Sequence, residues 1–361
     1  MDISGKHADA DGLIFNLFSG DKVMKTKSMI TMALAGLFGA FLISAAAVAA
    51  PQFTMKLTTT TANDADVEWL NTLKQGIDAR SGGRIKVEVY PASQLGSAPR
   101  TIEGVTMGTV EVALNASGFY EGLDPRFGVL SATGIFDSME QGNKVLNDPE
   151  IRKLLSTYGA SKGYEVLSVF MHTPVAVVTT KPFKTLNDIQ SKKIRVPGSP
   201  LFLHTFKALG AAPLSMSLGE VLPAMQNGTI DGAVGGNTIF TSLKFYDVTK
   251  SMTYLPSTHI AVVAIINSQF LKSIGPELSA IVKEEARKAD EHIYKWAIED
   301  SEKSRKLWEQ NGGKSYTLDG ADAALFVKDA GASAEAVFSG NAKQQADYKV
   351  FKAVAEKYRK N

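Results

Sequence analysis

The stretch "IRVPGSPLFLHTFKALGAAPLSMSLGEVLPAMQNGTIDG", residues 194–232, decides the fold. It opens inside a short apolar strand, Lys193 to Pro197, and runs on into helical patterns at about Pro200–Leu209 and Ser217–Gln226. Apolar spacing thus changes from the strand period to the helix period within one stretch. Working outward, the same alternation recurs. Phe53 to Thr58 reads as a strand, and a helix follows from about Asp64 to Ser81, with Val67, Leu70, Leu73 and Ile77 on one face and Gly82-Gly83 as its stop. "RIKVEVYP" (84–91) alternates at period two, and residues 98–115 read as a helix, a turn at Gly108 and a strand. "YEVLSVF" (164–170) and "VAVVTT" (175–180) read as two further strands. Such alternation predicts α/β layers with largely parallel sheets. Residues 275–312 form one long helical pattern, with Pro276 in the first turn and Gly312-Gly313 at the end. Its Glu284, Glu285, Arg287 and Lys288 read as a solvated face, and its roughly 50 Å length would brace two lobes.

The 361 residues allow two domains, and 44% hydrophobic with 21% charged residues is ordinary for a globular chain. A net charge of +2 gives no field for nucleic acid or an anionic membrane. With no cysteine, thiolate catalysis, disulfides and Cys-based zinc sites are excluded. Near the amino terminus, Lys25 and Lys27 precede an uncharged run from Met29 to Ala50 that closes on Ala47-Val48-Ala49. A basic start, an apolar middle and a small-residue exit describe a secretory signal peptide, with cleavage expected between Ala49 and Ala50. Met24-Lys25 reads as its natural start. Residues 1–49 carry four Lys and four Asp, so a mature chain keeps the +2. The expected location is the periplasm.

No G-x-S-x-G elbow, H-E-x-x-H or P-loop is present, and "GAVGGN" (232–237) lacks the dinucleotide spacing. His7, His172, His204, His259 and His292 are scattered, none paired at metal-ligand spacing. The sequence therefore predicts a non-enzyme without metal or cofactor. The alternative, an exported α/β hydrolase or isomerase acting on a small organic acid, would need a nucleophile or paired acid and base.

From Lys56 to about Pro276 the chain resembles the periplasmic solute-binding proteins of tripartite ATP-independent periplasmic (TRAP) transporters, the DctP family. Four segments carry the likeness: "GRIKVEVYPASQLGS" (83–97), "MGTVEVALNASGF" (107–119), the opening stretch 194–232, and "KFYDVTKSMTYLPSTH" (244–259). The order and spacing of these pieces discriminate against an ABC-type binding protein. The resemblance implies a two-lobed binding protein of the Venus-flytrap type, α/β with mixed sheets, hinge strands and a long helix spanning both lobes. Mapped onto this chain, lobe I is 51–172 plus 261–300, and lobe II is 173–260 plus 301–361. It also implies a small organic acid as ligand, TRAP membrane permease subunits as partners, and a monomer, with a dimer as the alternative.

Arg195 is the central candidate. Its guanidinium presents parallel N–H donors that match a carboxylate, and Arg seldom sits in an apolar strand without a partner. A structural ion pair is the competing reading; the resemblance implies the substrate carboxylate. Sugar-acid-binding members of the family carry a second arginine at the position of Val175, a cleft asparagine at Gly235 and a glutamate at Ala116. These departures favour a smaller or more apolar monocarboxylate. Further candidates are Thr60 at the end of the first strand, Asn115 and Ser117 flanking Ala116, Phe119 and Phe136 as walls, and Leu218 in place of a family aromatic. His172 beside Met171 at the hinge, Gly235 and Asn237 complete the set. Glu220 and Asp231 read as structural.

Overall fold

The computed structural model describes residues 50–359, so the signal-peptide reading lies outside the described residues. Strand β1 (Phe53–Thr59) leads to helix α1 (Ala65–Arg80), β2 (Ile85–Tyr90), α2 (Ala98–Met107) and β3 (Val112–Ala116). Next come α3 (Met139–Asn147), α4 (Pro149–Leu155), β4 (Tyr164–Thr179), β5 (Lys193–Val196), α5 (Pro200–Ala208), β6 (Ala212–Ser215) and α6 (Leu218–Gln226). The chain continues through β7 (Gly232–Gly236), α7 (Asn237–Ser242), β8 (Ser251–Asn267), α8 (Ser268–Ser273) and α9 (Gly275–Gln310). It ends with β9 (Lys314–Thr317), α10 (Gly320–Phe338) and α11 (Ala342–Arg359).

All nine strands join one sheet, ordered β2-β1-β3-β8-β4-β7-β5-β6, with β9 on β8. The outer pairs β1–β2, β1–β3, β5–β6 and β5–β7 are parallel, as βα alternation requires. The centre differs from the parallel expectation: β8 and β7 both run antiparallel to β4, and β3 antiparallel to β8. The two strands expected at 164–170 and 175–180 are one 16-residue strand. Pro174 interrupts it in sequence, but register shifts at Met171/Thr173 and Pro174/Ala176 place the proline where the ladder requires no N–H.

Buried apolar side chains form three clusters. The largest holds β1, β3, α1 and the first half of α9, with Met55, Leu57, Trp69, Leu114, Val282 and Ile293 inside. The other two lie on opposite faces of the β4–β7–β5 region, as β4 shows by alternation. Val175 and Val177 enter one, Ala176 and Val178 the other. Three elements pass between these bodies. β4 carries Phe170 and Met171 in the first and Val175 onward in the others. β8 runs the other way, from Met252 to Ile266. α9 reaches from Leu278 in the first to beside Trp308 in the third. This 36-residue helix matches the expected one, Pro276 included. One expectation for it fails. Glu285 is buried rather than solvated, held by Arg80 Nη1 at 2.5 Å and Lys288 Nζ at 2.8 Å. The side chain fills the space left by Gly76 of α1, where a Cβ would stand 2.1 Å from its Oε2.

Candidate functional site

Where the three clusters meet, a cavity encloses about 760 Å³ of non-atom space, mouth included. β5 contributes Arg195, β7 Val234 and Gly235, β4 His172 and Val175, β8 His259, Ile260 and Val262, and β3 its last residue, Ala116.

Arg195 is 3% exposed. Its Nε and Nη2 donate to the Met216 carbonyl at 3.1 and 3.0 Å, and Nη1 donates to the Val234 carbonyl at 3.0 Å. A guanidinium has five N–H groups, so one on each terminal nitrogen stays uncommitted. Among the described residues no carboxylate forms an ion pair with it. Burial lowers its pKa to about 10, with Glu220 opposing, so it stays charged at neutral pH. The charge is therefore desolvated and without a direct carboxylate partner, held in place by two carbonyls on a wall of the cavity.

Elsewhere on the wall, His172 and Asp66 belong to a buried group with Asp64. His172 Nε2 lies 3.3 Å from Asp64 Oδ2 and 3.6 Å from Asp66 Oδ1. Burial works against the imidazolium, but the two aspartates outweigh it and raise the His172 pKa; burial and Asp64 raise that of Asp66. His259 faces the opposite tendency. Burial lowers its pKa, and its Nδ1 pairs with the Phe136 carbonyl at 2.9 Å, so a neutral ring with Nδ1–H presents Nε2 as an acceptor. Behind the wall residue Gly118, Ser199 Oγ donates to Glu121 Oε1 at 2.6 Å, joining the cap of α5 to the turn after β3. A Cβ on Gly118 would stand 2.9 Å from that serine's Cβ.

Of the candidates, Arg195, Thr60, Ser117, Phe119, His172, Leu218 and Gly235 line the cavity together. Asn115, Phe136 and Asn237 do not. Asn115 sits one residue behind Ala116 on β3, on the other side of the strand, and accepts from Thr60 Oγ1 at 3.3 Å. Phe136 lies in the largest apolar cluster, 1% exposed. Asn237 is turned to α9, where its Nδ2 donates to the Ser301 carbonyl at 2.9 Å, while Thr173 bonds its Oδ1. Met171 is core as well. Glu220 closes a capping box with Ser217, and Asp231 Oδ2 accepts from the Lys193 amide at 2.8 Å. The sequence reading missed Thr61, Asp66, Ser131, Phe202, His259 and Ile260 as wall residues. The threonine run 58–61 at the end of β1 was a usable signal for Thr61. Asp66 offered none, since an acidic residue in a helix's first turn ordinarily faces water.

The profile described as bacterial extracellular solute-binding protein, family 7 (DctP) matches residues 58–341. The "uncharacterized protein YiiZ" of Salmonella typhimurium is 31% identical over 217 residues, covering 59% of this chain and 66% of that protein, just under two thirds. The 2,3-diketo-L-gulonate-binding periplasmic protein YiaO of Escherichia coli is 29% identical over 283 residues, covering 78% of this chain and 84% of that one. In fold, the chain resembles the sugar-acid-binding protein of Advenella mimigardefordensis in complex with galactonate, with TM-score 0.81 at 19% identity over 86% of this chain and 99% of that one. No described helix is long and apolar enough to cross a membrane. The family, the Escherichia coli relative and the structural neighbour are binding proteins, which sets aside the hydrolase or isomerase alternative. The chain belongs to the DctP family of bacterial extracellular solute-binding proteins, the two-lobed periplasmic receptors of TRAP transporters.

Proposed function

We propose that this protein is exported to the periplasm, captures a small organic monocarboxylate in the cavity, and delivers it to the membrane permease of a TRAP transporter. Lobe I would be 51–172 plus 261–300 and lobe II 173–260 plus 301–361, with β4, β8 and α9 crossing between them. The observation that carries this reading is Arg195: a buried cation with two free donors and no carboxylate partner among the described residues. An anionic ligand supplies the missing charge, and in a water-poor site that attraction is far stronger than in bulk water. A single carboxylate fits because Val175 stands on β4, next but one to the arginine's strand, and the wall apart from Asp66, His172 and His259 offers hydroxyls and apolar faces. Thr60, Ser117 and Ser131 suit a hydroxyl group on the ligand; Phe119, Phe202, Leu218 and Ile260 suit a short hydrocarbon. The relatives' printed ligands, 2,3-diketo-L-gulonate and galactonate, are themselves monocarboxylates, larger and more hydroxylated than the ligand proposed here.

The test is a thermal-shift screen of organic acids, each paired with its neutral amide, followed by calorimetric titration of the hits. Hits among monocarboxylates, silent as amides, support the reading. A protein stabilised equally by acids and amides, or by dicarboxylates alone, contradicts it.

A further inference from the structure

We propose that Asp64, Asp66 and His172 form a binding site for one divalent cation of the zinc type, set in the wall of the ligand cavity. The three residues come from the loop before α1, its first turn, and β4 more than a hundred residues later, which is why chain spacing predicted no metal. All three side chains are buried, and one ligating atom from each lies within 4.8 Å of the others.

The distances suit a cation site. A charge-assisted N–H···O bond is about 2.7–2.9 Å long. The His172 contacts, at 3.3 and 3.6 Å, are longer, and both ring nitrogens lack a hydrogen-bond partner. Two ligands bound to one metal at about 2.0–2.2 Å, subtending 90–110°, stand roughly 2.8–3.6 Å apart. Both His172 separations fall on that edge length, and the two carboxylate oxygens lie within 4.8 Å of each other.

The distribution of hydrogen bonds points the same way. Asp64 Oδ2 and Asp66 Oδ1, the atoms that face His172, are buried without partners. Their other oxygens are pinned from behind. Thr61 Oγ1 donates to Asp64 Oδ1 at 2.8 Å, and Thr59 Oγ1 donates to Asp66 Oδ2 at 2.9 Å. Carboxylates oriented by second partners, with their free oxygens converging on an imidazole, are how a protein presents a metal site. Asp66 and His172 both line the cavity, which supplies an entry path and open coordination positions. An imidazole with two carboxylates suits zinc better than calcium, which takes six to eight oxygens at longer range.

The site is tested on chelator-stripped protein from residue 50 onward, titrated with ZnCl2 alone by calorimetry and elemental analysis. The expected result is one Zn2+ per chain, with binding weakened at least a hundredfold in both His172→Gln and Asp66→Asn. His292→Gln, which removes the exposed pair with Glu68, should leave it unchanged. CaCl2 should bind far more weakly. No stoichiometric zinc, or zinc retained by both cluster variants, overturns the proposal. Should both variants fail to fold, the ring-nitrogen NMR signals of wild-type histidines decide: zinc must shift those of a buried histidine, and an unmoved spectrum overturns it. The titration contains no organic acid, so its outcome is independent of what Arg195 binds.

Discussion

Replacing Arg195 with methionine should abolish ligand capture without unfolding the protein, and should leave the empty protein at least as stable as the wild type. Burial brings the arginine's pKa from 12.5 to about 10, so the fold disfavours the cation by roughly 3 kcal/mol, at about 1.4 kcal/mol per tenfold. Removing the charge relieves that cost. It also orphans the Met216 and Val234 carbonyls, at about 1 kcal/mol or somewhat more each. The two effects nearly cancel, and the difference favours the variant by about 1 kcal/mol, a Tm rise of about 2 °C for a chain of this size. Binding has no such compensation. Losing one partner of a buried hydrogen-bonded charge pair costs about 2–5 kcal/mol, roughly thirtyfold to several thousandfold in affinity. Arg195→Lys keeps the charge without the fork and should recover only part of the loss. Calorimetric titration with the acid found in the screen, beside thermal denaturation of the empty proteins, reads both quantities. Binding within threefold of wild type in the folded Arg195→Met variant would refute the anchor. A fall in Tm of more than about 5 °C would show that the arginine is a structural tie.

Burial raises the Glu121 pKa to about 7, against the bond from Ser199, and raises that of Asp290 to about 7 as well. Each folded value exceeds the unfolded one, so this stability is complete below about pH 4 and is lost as pH rises to 7; Tm should fall between pH 5 and 8, by the equivalent of about 3 kcal/mol from Glu121 alone, and Glu121→Gln should flatten that share of the slope. A Tm that rises over this range refutes the assignment. Gly118→Ala places a methyl 2.9 Å from the buried Ser199 Cβ, so the empty protein should melt several degrees lower, by the equivalent of about 1–3 kcal/mol; a Tm within about 1 °C of wild type means that the packing there gives way freely. Trp69 Nε1 donates to Asp290 Oδ1 at 2.8 Å, tying α1 to α9, and Ser168 bonds the same oxygen. Asp290→Ala should therefore cost about 1–3 kcal/mol in denaturant unfolding and Asp290→Asn clearly less, since the amide keeps an acceptor for the indole.

The outer strands and α9 were readable because local signals fixed them: the alternation in 84–91, the Gly108 turn, and Pro276 with Gly312 around an amphipathic run. The centre of the sheet was not. β8 is buried on both faces, so it shows no alternation, and Pro256 argues against a strand; Leu255 to Thr258 instead bulge out of the ladder opposite Pro174. Arg195 was legible because a charge inside an apolar strand needs an explanation. Asn237 was misplaced because nothing local says whether an asparagine after two glycines turns to the cavity or to a helix folded on later. The Asp64–Asp66–His172 group is a product of tertiary packing alone, since β4 delivers the histidine to residues that precede it by more than a hundred positions.

The strand order also sets a clock. β8, residues 251–267, lies between β3 and β4, whose own segments end at Ala116 and Thr179. Neither of those strands can find its native neighbour on that side until residue 267 has been made. At the usual pace of synthesis, roughly 5–20 residues per second, that wait lasts about 8–30 seconds for β3 and about 4–18 seconds for β4. Throughout it the first half of the chain has no finished core to collapse into. For a protein exported as proposed here, such lateness is an advantage: the polypeptide stays threadable while the translocation machinery engages it, and it completes its sheet only on the far side of the membrane.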